Sequence, residues 1–220
     1  MRELYLTARL VSPLLVHMHY LNDPKAIYRL SFDILSAETS FSGLPQEAIP
    51  IAKRVVHSCG MPSITTDLRA SQTIAEAAAS ALALGRPIFA DCSMVKSGIM
   101  KERLFHKNKI ICTLPSTTTK KNMTRSAAAV DAWTPNLLGS VVAIGNAPTA
   151  LFRLLEILKK GAPKPAAIFG FPVGFVGAAE AKEKLLNINL GIPFMTLLGR
   201  RGGSGMAAAA VNAVILDSSR

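Results

Sequence analysis

The chain of 220 residues has only three cysteines and few aromatic residues, which make up 6% of it. The cysteines have no paired spacing, which excludes a disulfide framework and a zinc knuckle; they are Cys59, Cys92 and Cys112. So few aromatic residues do not indicate a stacking platform for nucleic acid. We therefore expect a protein of a reducing compartment.

A membrane-spanning run and a signal-peptide cleavage pattern are also missing from the N-terminal stretch. Residues 1–21 are fairly apolar but are broken by Arg9, His17 and His19. We expect these residues to form one or two strands or an extended arm. We also expect a cytoplasmic protein that does not bind a membrane.

Acidic residues are scarce, with 14 Asp and Glu against 25 Lys and Arg, and the formal net charge is +11. Such an excess favours an anionic partner: nucleic acid, an anionic membrane, or a polycarboxylate or phosphate ligand. A merely basic surface is the alternative. The basic residues are dispersed and no recognition-helix pattern is present, so nucleic acid is the less favoured partner.

Several catalytic motifs are absent. The chain has no Walker A sequence and no G-x-S-x-G elbow, and the His17-x-His19 pair has no third metal ligand nearby. The glycines of "GGSGMAA", from Gly202 onward, match a dinucleotide fingerprint. However, they open the last helix, so no second strand follows to bind the ribose. We expect no metal site.

Half of the residues are hydrophobic, and from residue 86 onward strands alternate with helices. Five short apolar runs are typical of buried parallel strands: "RPIFAD", "KIICTL", "SVVAIG", "AAIFG" and "FMTLLG". Alternation of this kind predicts crossover connections. We predict a single three-layer α/β/α domain over residues 1–220, with a parallel sheet of about five strands.

Helices are predicted before and between these strands. "NDPKAIYRLSFDILSAE" and "SQTIAEAAASALALG" have apolar periodicity and end signals, and a helix is expected near Met94–Leu104 and from "TRSAAAVDAW". "LPQEAIPIAKRVVHSCG" is predicted to be one helix with a kink at Pro50 and an end at Gly60.

Three strand-to-helix turns are marked by glycine, after "SVVAIG", "AAIFG" and "FMTLLG". Such turns lie together at the carboxyl edge of a parallel sheet, where ligands bind. Glycine allows close approach of a ligand to the main chain, and each helix start offers unpaired N–H groups. We expect these amides to bind a large anionic ligand.

His57 is a candidate for proton transfer. It ends the helix "IAKRVVHSCG", where the helix dipole favours imidazolium, whereas Lys53 and Arg54 disfavour it. A histidine in such a balance is suited to exchange a proton near neutral pH. The alternative is a histidine that only caps the helix end.

The chain resembles the precorrin-8X methylmutases of cobalamin biosynthesis and their cobalt-precorrin-8 counterparts. The resemblance is carried by "VVAIGNAPTALFRLLEIL", "GAPKPAAIFGFPVGFVGAAEAKEKL" and "GRRGGSGMAAAAVNAV". Upstream, "IYRLSFDIL", "VVHSCG", "DCSMVKSGI", "ICTL" and "TRSAAA" follow in family order, so the resemblance covers about residues 25–215.

The resemblance implies a flavodoxin-like fold and a homodimer with active sites near the subunit interface. It implies an isomerase that moves a methyl group from ring carbon 11 to ring carbon 12 of a contracted tetrapyrrole, without a separate cofactor. The product is hydrogenobyrinic acid, or cobyrinic acid when cobalt is present, and the residues leave open which substrate is used. A corrinoid carrier without activity and a basic nucleic-acid-binding domain are the alternatives.

The resemblance also assigns site residues. The family's catalytic histidine falls on His57, its substrate-contacting serine on Ser31 and its active-site arginine on Arg125. For Arg125 the alternative is a structural arginine that binds a backbone carbonyl or a surface acid. Further substrate-binding candidates lie in the turns and helix ends: Thr124, Ser126, Gly98, Asn146, Gly202, Gly203 and Ser204. Departures from the family pattern occur at Ala181, Leu198 and Gly205, and His106 has no assigned role.

Overall fold

The computed structural model describes residues 20–104, 106–119 and 121–217, and within these ranges six strands form one sheet. The strands are β1 (Leu68–Ala70), β2 (Ile88–Ala90), β3 (Ile110–Ile111), β4 (Val141–Ile144), β5 (Ala167–Gly170) and β6 (Phe194–Leu197). Their order across the sheet is β1-β6-β5-β4-β2-β3. Strands β2 to β6 are parallel, as the sequence predicts.

The edge strand β1 is the part of the sheet that the sequence analysis misses. It pairs antiparallel with β6, with Leu68 opposite Leu197 and Ala70 opposite Met195. A strand of three residues with Arg69 at its centre has no apolar run. Its pairing with β6 therefore decides its conformation, and local sequence does not.

The five parallel strands have the flavodoxin-like order. Numbered along the chain from β2, they lie in the order 2-1-3-4-5. The strand order reverses between β2 and β4, which makes the carboxyl ends of these two strands the topological switch point. The predicted fold class is confirmed, and the switch point marks where a ligand crevice is expected.

Helices cover both faces of the sheet. In the described ranges they are α1 (Pro24–Glu38), α2 (Ile49–Cys59), α3 (Ile74–Ala83), α4 (Ser93–Gly98), α5 (Arg125–Asp131), α6 (Pro148–Lys159), α7 (Ala178–Asn187) and α8 (Ser204–Asp217). Buried side chains of α2, α3, α4 and α8 form one hydrophobic cluster. Those of α5, α6 and α7 form a second. The structure thus has the three predicted layers, with the sheet between two layers of helices.

Two helix predictions need correction. Residues Gln46–Ala48 form a separate 3-10 turn, and Pro50 lies in the first turn of α2 instead of kinking a longer helix. A first-turn proline is favourable because its missing N–H has no helical partner there. The helix expected near Met94–Leu104 ends at Gly98, and a 3-10 turn follows at Lys101–Arg103.

The buried side chain of Asn212 accounts for this early end of α4. Its Oδ1 accepts from Met100 N at 2.9 Å, and its Nδ2 donates to the Gly98 carbonyl at 2.8 Å. Both main-chain groups are then unavailable to a continuing helix. Gly98 itself packs closely on α8, because a Cβ there would lie 2.8 Å from the Cβ of Ala208.

The start of α8 lies directly against the turn that follows β4. A Cβ added at Gly145 would lie 2.7 Å from the Cα of Ser204 and 2.8 Å from the Cβ of Ala207. Residues Met206–Ile215 of α8 are all buried, so the helix is the centre of its layer. Only glycine at position 145 allows this approach of helix to sheet.

We predict that Gly145→Ala lowers the free energy of unfolding by about 2–3 kcal/mol, because the added methyl group meets main-chain atoms that have no room to move. The measurement is urea unfolding followed by circular dichroism. Gly43→Ala is the matched control, since a Cβ at Gly43 meets nothing within 4 Å and Gly43 has no positive φ. Equal stability of the two variants would contradict the packing argument.

Candidate active site

His57 and Ser31 lie together although 26 residues separate them. Asp23 caps α1 through the N–H groups of Lys25 and Ala26, so Ser31 is held within a regular helix. Helix α2 ends at Gly60, whose φ of +66° permits the left-handed cap, and His57 occupies its last turn. Ser31 Oγ lies 3.1 Å from His57 Nδ1.

Aromatic rings hold the imidazole on one face. Phe32 stacks on His57 with ring centroids 5.0 Å apart and an interplanar angle of 19°, and Tyr28 stacks on Phe32 at 4.6 Å. The Arg54 guanidinium lies 5.5 Å from the ring centroids of Tyr28 and Phe32, and it donates to the Tyr28 hydroxyl at 2.8 Å. Stacking and the Ser31 contact together fix the orientation of the His57 ring.

His57 Nε2 stays available for proton exchange. None of the described residues forms a hydrogen bond with it, and the residue is exposed. A serine hydroxyl can donate to or accept from Nδ1, so the contact positions the ring and leaves Nε2 to take or give a proton. The contact of Phe32 with His57 was not predicted from the sequence, although Phe32 directly follows Ser31 on α1.

The end of α2 points towards the carboxyl edge of the sheet. A groove beside Phe32 is lined by Pro50 at the start of α2 and by Leu216 at the end of α8, so the two helices run antiparallel. After α2, the 3-10 turn Pro62–Asp67 is bonded to the loop between β6 and α8. There, Arg201 donates to Ser63 Oγ at 3.1 Å and to Asp67 Oδ2 at 2.7 Å.

The switch-point crevice itself is filled by a side chain of the protein. Asp91, which follows β2 and is 2% exposed, accepts from the N–H groups of Gly145, Asn146 and Ala147 at 2.9–3.0 Å. The expectation that these amides bind an external anion is therefore wrong for this turn, since they already bind an internal carboxylate. Burial is the larger effect and raises the pKa of Asp91 above its usual value, although hydrogen bonds from the three amides act to lower it.

Some amides of the other two turns are also used within the protein. Val173 N donates to the Asn146 carbonyl, Gly174 N to the Arg200 carbonyl and Gly203 N to the Phe171 carbonyl. These bonds tie the three turns to one another. The amides of these two turns are therefore only partly available to a ligand.

The predicted residues of the α5 start lie beside the first turn. Thr124 Oγ1 accepts from Ala127 N, which caps α5, and donates to Thr149 Oγ1 at 2.8 Å. Arg125 is exposed and forms no hydrogen bond or ion pair with any described residue, so the alternative of a structural arginine has no support there. Ser126 is half-buried in the same helical turn.

Gly202, Gly203 and Ser204 lie in the loop before α8. A Cβ at Gly202 would meet the carbonyl oxygens of Phe171 and Pro172, so packing alone accounts for glycine there. Ser204 Oγ lies 3.3 Å from the Sγ of Cys92. The assignment of these residues, and of Gly98 and Asn146, to substrate binding stays a prediction.

Metal ligation has no support in the described ranges, where no three His, Cys, Asp or Glu residues form a group that could hold an ion. His17 and His19, with most of the expected N-terminal arm, lie outside the described residues. The main chain of His106 packs against Gly85. Because Gly85 precedes β2, it lies at the amino edge of the sheet, opposite the carboxyl edge where His57 lies. Over the same ranges, no helix is long and apolar enough to cross a membrane.

Lys182 is a buried cation below the β6–α8 loop that the sequence analysis missed. The residue is fully buried on α7, and its Nζ donates to the Arg201 carbonyl. Loss of hydration lowers its pKa to about 8, and the nearby Arg201 charge adds to the shift. Lys182 lies four residues after Ala178 and three before Leu185, so it shares the buried side of α7 with them. This spacing was a signal that the lysine is buried.

Comparison with known proteins identifies the family of this site. The family profile described as "Precorrin-8X methylmutase" matches residues 26–216. A relative named precorrin-8X methylmutase, from Pseudomonas aeruginosa, is 52% identical over 203 residues, covering 90% of this chain and 98% of its own. A cobalt-precorrin-8 methylmutase from Priestia megaterium is 34% identical over 197 residues, covering 87% of each chain.

A solved structure agrees in fold as well as in sequence. The crystal structure of a precorrin-8X methylmutase from Thermus thermophilus superposes with a TM-score of 0.79 at 33% identity, covering 89% of this chain and 96% of the other. Fold and site thus define an isomerase that moves a methyl group within one molecule. The chain belongs to the precorrin-8X methylmutase family of cobalamin biosynthesis.

We predict that stability rises with pH through Lys182. Because its folded-state pKa of about 8 lies below the 10.5 of an unperturbed lysine, the unfolded chain binds a proton that the folded chain has released. From pH 8 to pH 10, the wild type should therefore gain about 1–2 kcal/mol relative to Lys182→Met. Urea unfolding at several pH values measures this difference.

Lys184→Met is the control for this prediction, since Lys184 is exposed on the same helix. It should follow the wild-type pH dependence. A constant difference between wild type and Lys182→Met across this pH range would mean that Lys182 keeps an ordinary lysine pKa in the folded protein.

Proposed function

We propose that this enzyme converts precorrin-8X to hydrogenobyrinic acid by moving a methyl group from ring carbon 11 to ring carbon 12. The observation that carries the proposal is the 52% identity, over 90% of the chain, to a relative named precorrin-8X methylmutase. The hydrogen-bonded Ser31–His57 pair supports it as the place where the proton is handled.

A metal-free substrate is favoured by the names of the relatives. Two relatives named precorrin-8X methylmutase, from Pseudomonas aeruginosa and a Sinorhizobium species, are 52% and 48% identical. The relative from Priestia megaterium, named for the cobalt-containing substrate, is 34% identical. This difference supports precorrin-8X over cobalt-precorrin-8.

The proposed chemistry needs little covalent machinery. Migration of the methyl group restores conjugation in the ring, so the protein has to hold one tautomer and exclude water. Ser31 fixes His57 through Nδ1, which leaves Nε2 to donate a proton or a hydrogen bond to the macrocycle beside the migrating group. Phe32 keeps the imidazole plane in place for this transfer.

The acidic arms of the substrate require positive charge on the protein. Arg125 is exposed without a partner among the described residues, and a guanidinium binds a carboxylate through two parallel hydrogen bonds. The other assigned positions supply hydroxyl, amide and small side chains. We assign to substrate binding Ser31, Thr124, Arg125, Ser126, Asn146, Gly98, Gly202, Gly203 and Ser204.

We further propose a homodimer in which the second copy completes the active site. His57 is exposed, so one copy of the chain does not enclose a ligand that binds at the imidazole. Helix α1 exposes Ile27, Leu30 and Ile34 next to Ser31, with 43–51% of each residue accessible. A second copy on this apolar stripe would cover both the stripe and the His57 region.

We also propose that the chain works as one domain in the cytoplasm. Both hydrophobic clusters pack on the same sheet, which supports a single folding unit. All three cysteines are free, which is typical of proteins in a reducing compartment.

We predict that His57→Ala slows conversion of precorrin-8X by about 10²–10⁴-fold, because a positioned proton donor contributes that much. Hydrogenobyrinic acid should still bind with nearly wild-type affinity, since the imidazole is one contact among many. The visible spectrum of the pigment follows both conversion and binding. Cobalt-precorrin-8, offered to the wild type in parallel, should turn over more slowly than the metal-free substrate.

Ser58→Ala is the matched control, because the Ser58 hydroxyl bonds only to the Val55 carbonyl in its own helix. It should convert substrate at the wild-type rate. Unchanged turnover in His57→Ala would remove His57 from the mechanism. A wild type that binds the pigment without converting it would instead indicate a corrinoid carrier.

We predict that Leu30→Asp weakens dimerisation roughly 100-fold, because an unpaired charge buried in an apolar interface costs about 3 kcal/mol. Sedimentation velocity over a concentration series measures this, and turnover should fall with the dimer fraction. Leu138→Asp, at a leucine that is 63% exposed before β4, is the control. A Leu30→Asp protein that dimerises like the wild type would exclude α1 from the interface.

A further inference from the structure

The loop after β5 presents the most exposed apolar side chains among those described. Phe175 and Val176 are 88% and 89% exposed, and both follow a strand at the carboxyl edge of the sheet. Single exposed apolar residues are common on proteins, but an adjacent aromatic and aliphatic pair at a ligand-binding edge is typical of a recognition surface. None of the site residues assigned above lies in this loop.

The loop is held in place by the main chain of its neighbours. Gly174 N donates to the Arg200 carbonyl at 3.2 Å, and Val173 N donates to the Asn146 carbonyl at 3.3 Å. At Gly202, the carbonyl oxygens of Phe171 and Pro172 fill the space of a Cβ. Phe175 is thus displayed on a tied segment, which lowers the entropy lost when it contacts a ligand.

Arg200 lies beside Phe175 and carries a positive charge. Its guanidinium lies 5.7 Å from the centroid of the Phe175 ring. Arg200 is exposed, and no carboxylate of the described residues forms an ion pair with it, whereas its neighbour Arg201 is paired with Asp67. The Arg200 guanidinium is therefore available to an anion, while its flat face contacts an aromatic ring.

Phe175 and Arg200 lie at the carboxyl edge of the sheet, as His57 does. Arg201, next in the chain to Arg200, is bonded to Ser63 and Asp67, and both belong to the turn that follows His57 and α2. A ligand bound at His57 that extends along this edge would next meet the β6–α8 loop and then Phe175. The occupant must be wide, partly apolar and acidic.

We propose that Phe175 and Arg200 form a substrate-binding pair, in which Phe175 packs on the apolar macrocycle and Arg200 binds one of its carboxylate arms. This inference rests on the proposed function. A tetrapyrrole polycarboxylate combines a broad conjugated ring with charged arms, and it matches an aromatic ring beside an unpaired guanidinium. The pair adds affinity and orientation, and it takes no part in proton transfer.

Titration with hydrogenobyrinic acid, followed by the visible spectrum, tests the proposal. Phe175→Ala and Arg200→Met should each raise the Kd about tenfold, and each should raise KM with little change in kcat. With the same corrin after amidation of its carboxylates, the Arg200→Met effect should vanish while the Phe175→Ala effect remains. That split separates charge recognition from apolar packing.

Matched controls lie at the opposite edge of the sheet. Leu84→Ala removes an apolar side chain that is 73% exposed before β2, and Lys160→Met removes an exposed cation at the end of α6. Both should bind the corrin like the wild type. All of these residues are exposed, so thermal unfolding should show folded proteins of equal stability.

Two outcomes overturn the proposal. Wild-type affinity in both Phe175→Ala and Arg200→Met would show that the pair does not contact the corrin. Weaker dimerisation with unchanged corrin affinity would show that the pair faces a second copy of the chain. Either result differs from failure of the proposed function, in which the wild type itself would neither bind nor convert the tetrapyrrole.

Discussion

The contact of Asp91 with three main-chain amides is the constraint on which the active edge depends. A buried carboxylate after β2 holds the turn after β4 through Gly145, Asn146 and Ala147. This turn in turn supports the start of α8, which lies so close to Gly145 that no Cβ fits between them. Helix α8 packs on α2, and α2 carries His57. The position of the proposed proton donor therefore depends on a buried carboxylate.

Filling of the switch point has a consequence for recognition. In flavodoxin-like folds, ligands bind in the crevice where the strand order reverses, commonly on free amides. Here that crevice holds Asp91, and the amides of Val173, Gly174 and Gly203 in the adjacent loops donate to main-chain carbonyls. A ligand at this edge would then lie over it and meet exposed side chains. An excess of eleven positive charges over the whole chain favours a polyanion at such an open surface.

Sequence patterns predicted the elements whose signals are local. The five parallel strands are apolar runs between turns, and α1 and the end of α2 carry proline and glycine signals that the structure bears out. Strand β1 and the early end of α4 depend on partners far along the chain, on β6 and Asn212, so no local signal contains them. Ser31 came from family resemblance alone, whereas His57 was also indicated by its place at a helix end. Their contact could not be predicted, because 26 positions separate them and neither periodicity nor spacing shows that they meet. Asp91 directly follows a buried strand, but the sequence does not say that its partners are main-chain amides.

The exposure of His57 bears on why a second copy is proposed. A proton transfer that competes with bulk water is poorly controlled, and enzymes of this kind gain from closing the site. One chain supplies the imidazole, its serine partner and its aromatic support, but it leaves the imidazole exposed. An apolar stripe on α1 lies beside the Ser31–His57 pair, so burial of the stripe against a second copy would exclude water from the imidazole in the same step. Assembly and catalysis would then depend on the same helix, with Leu30 and Ile34 serving the interface and Ser31 serving the histidine.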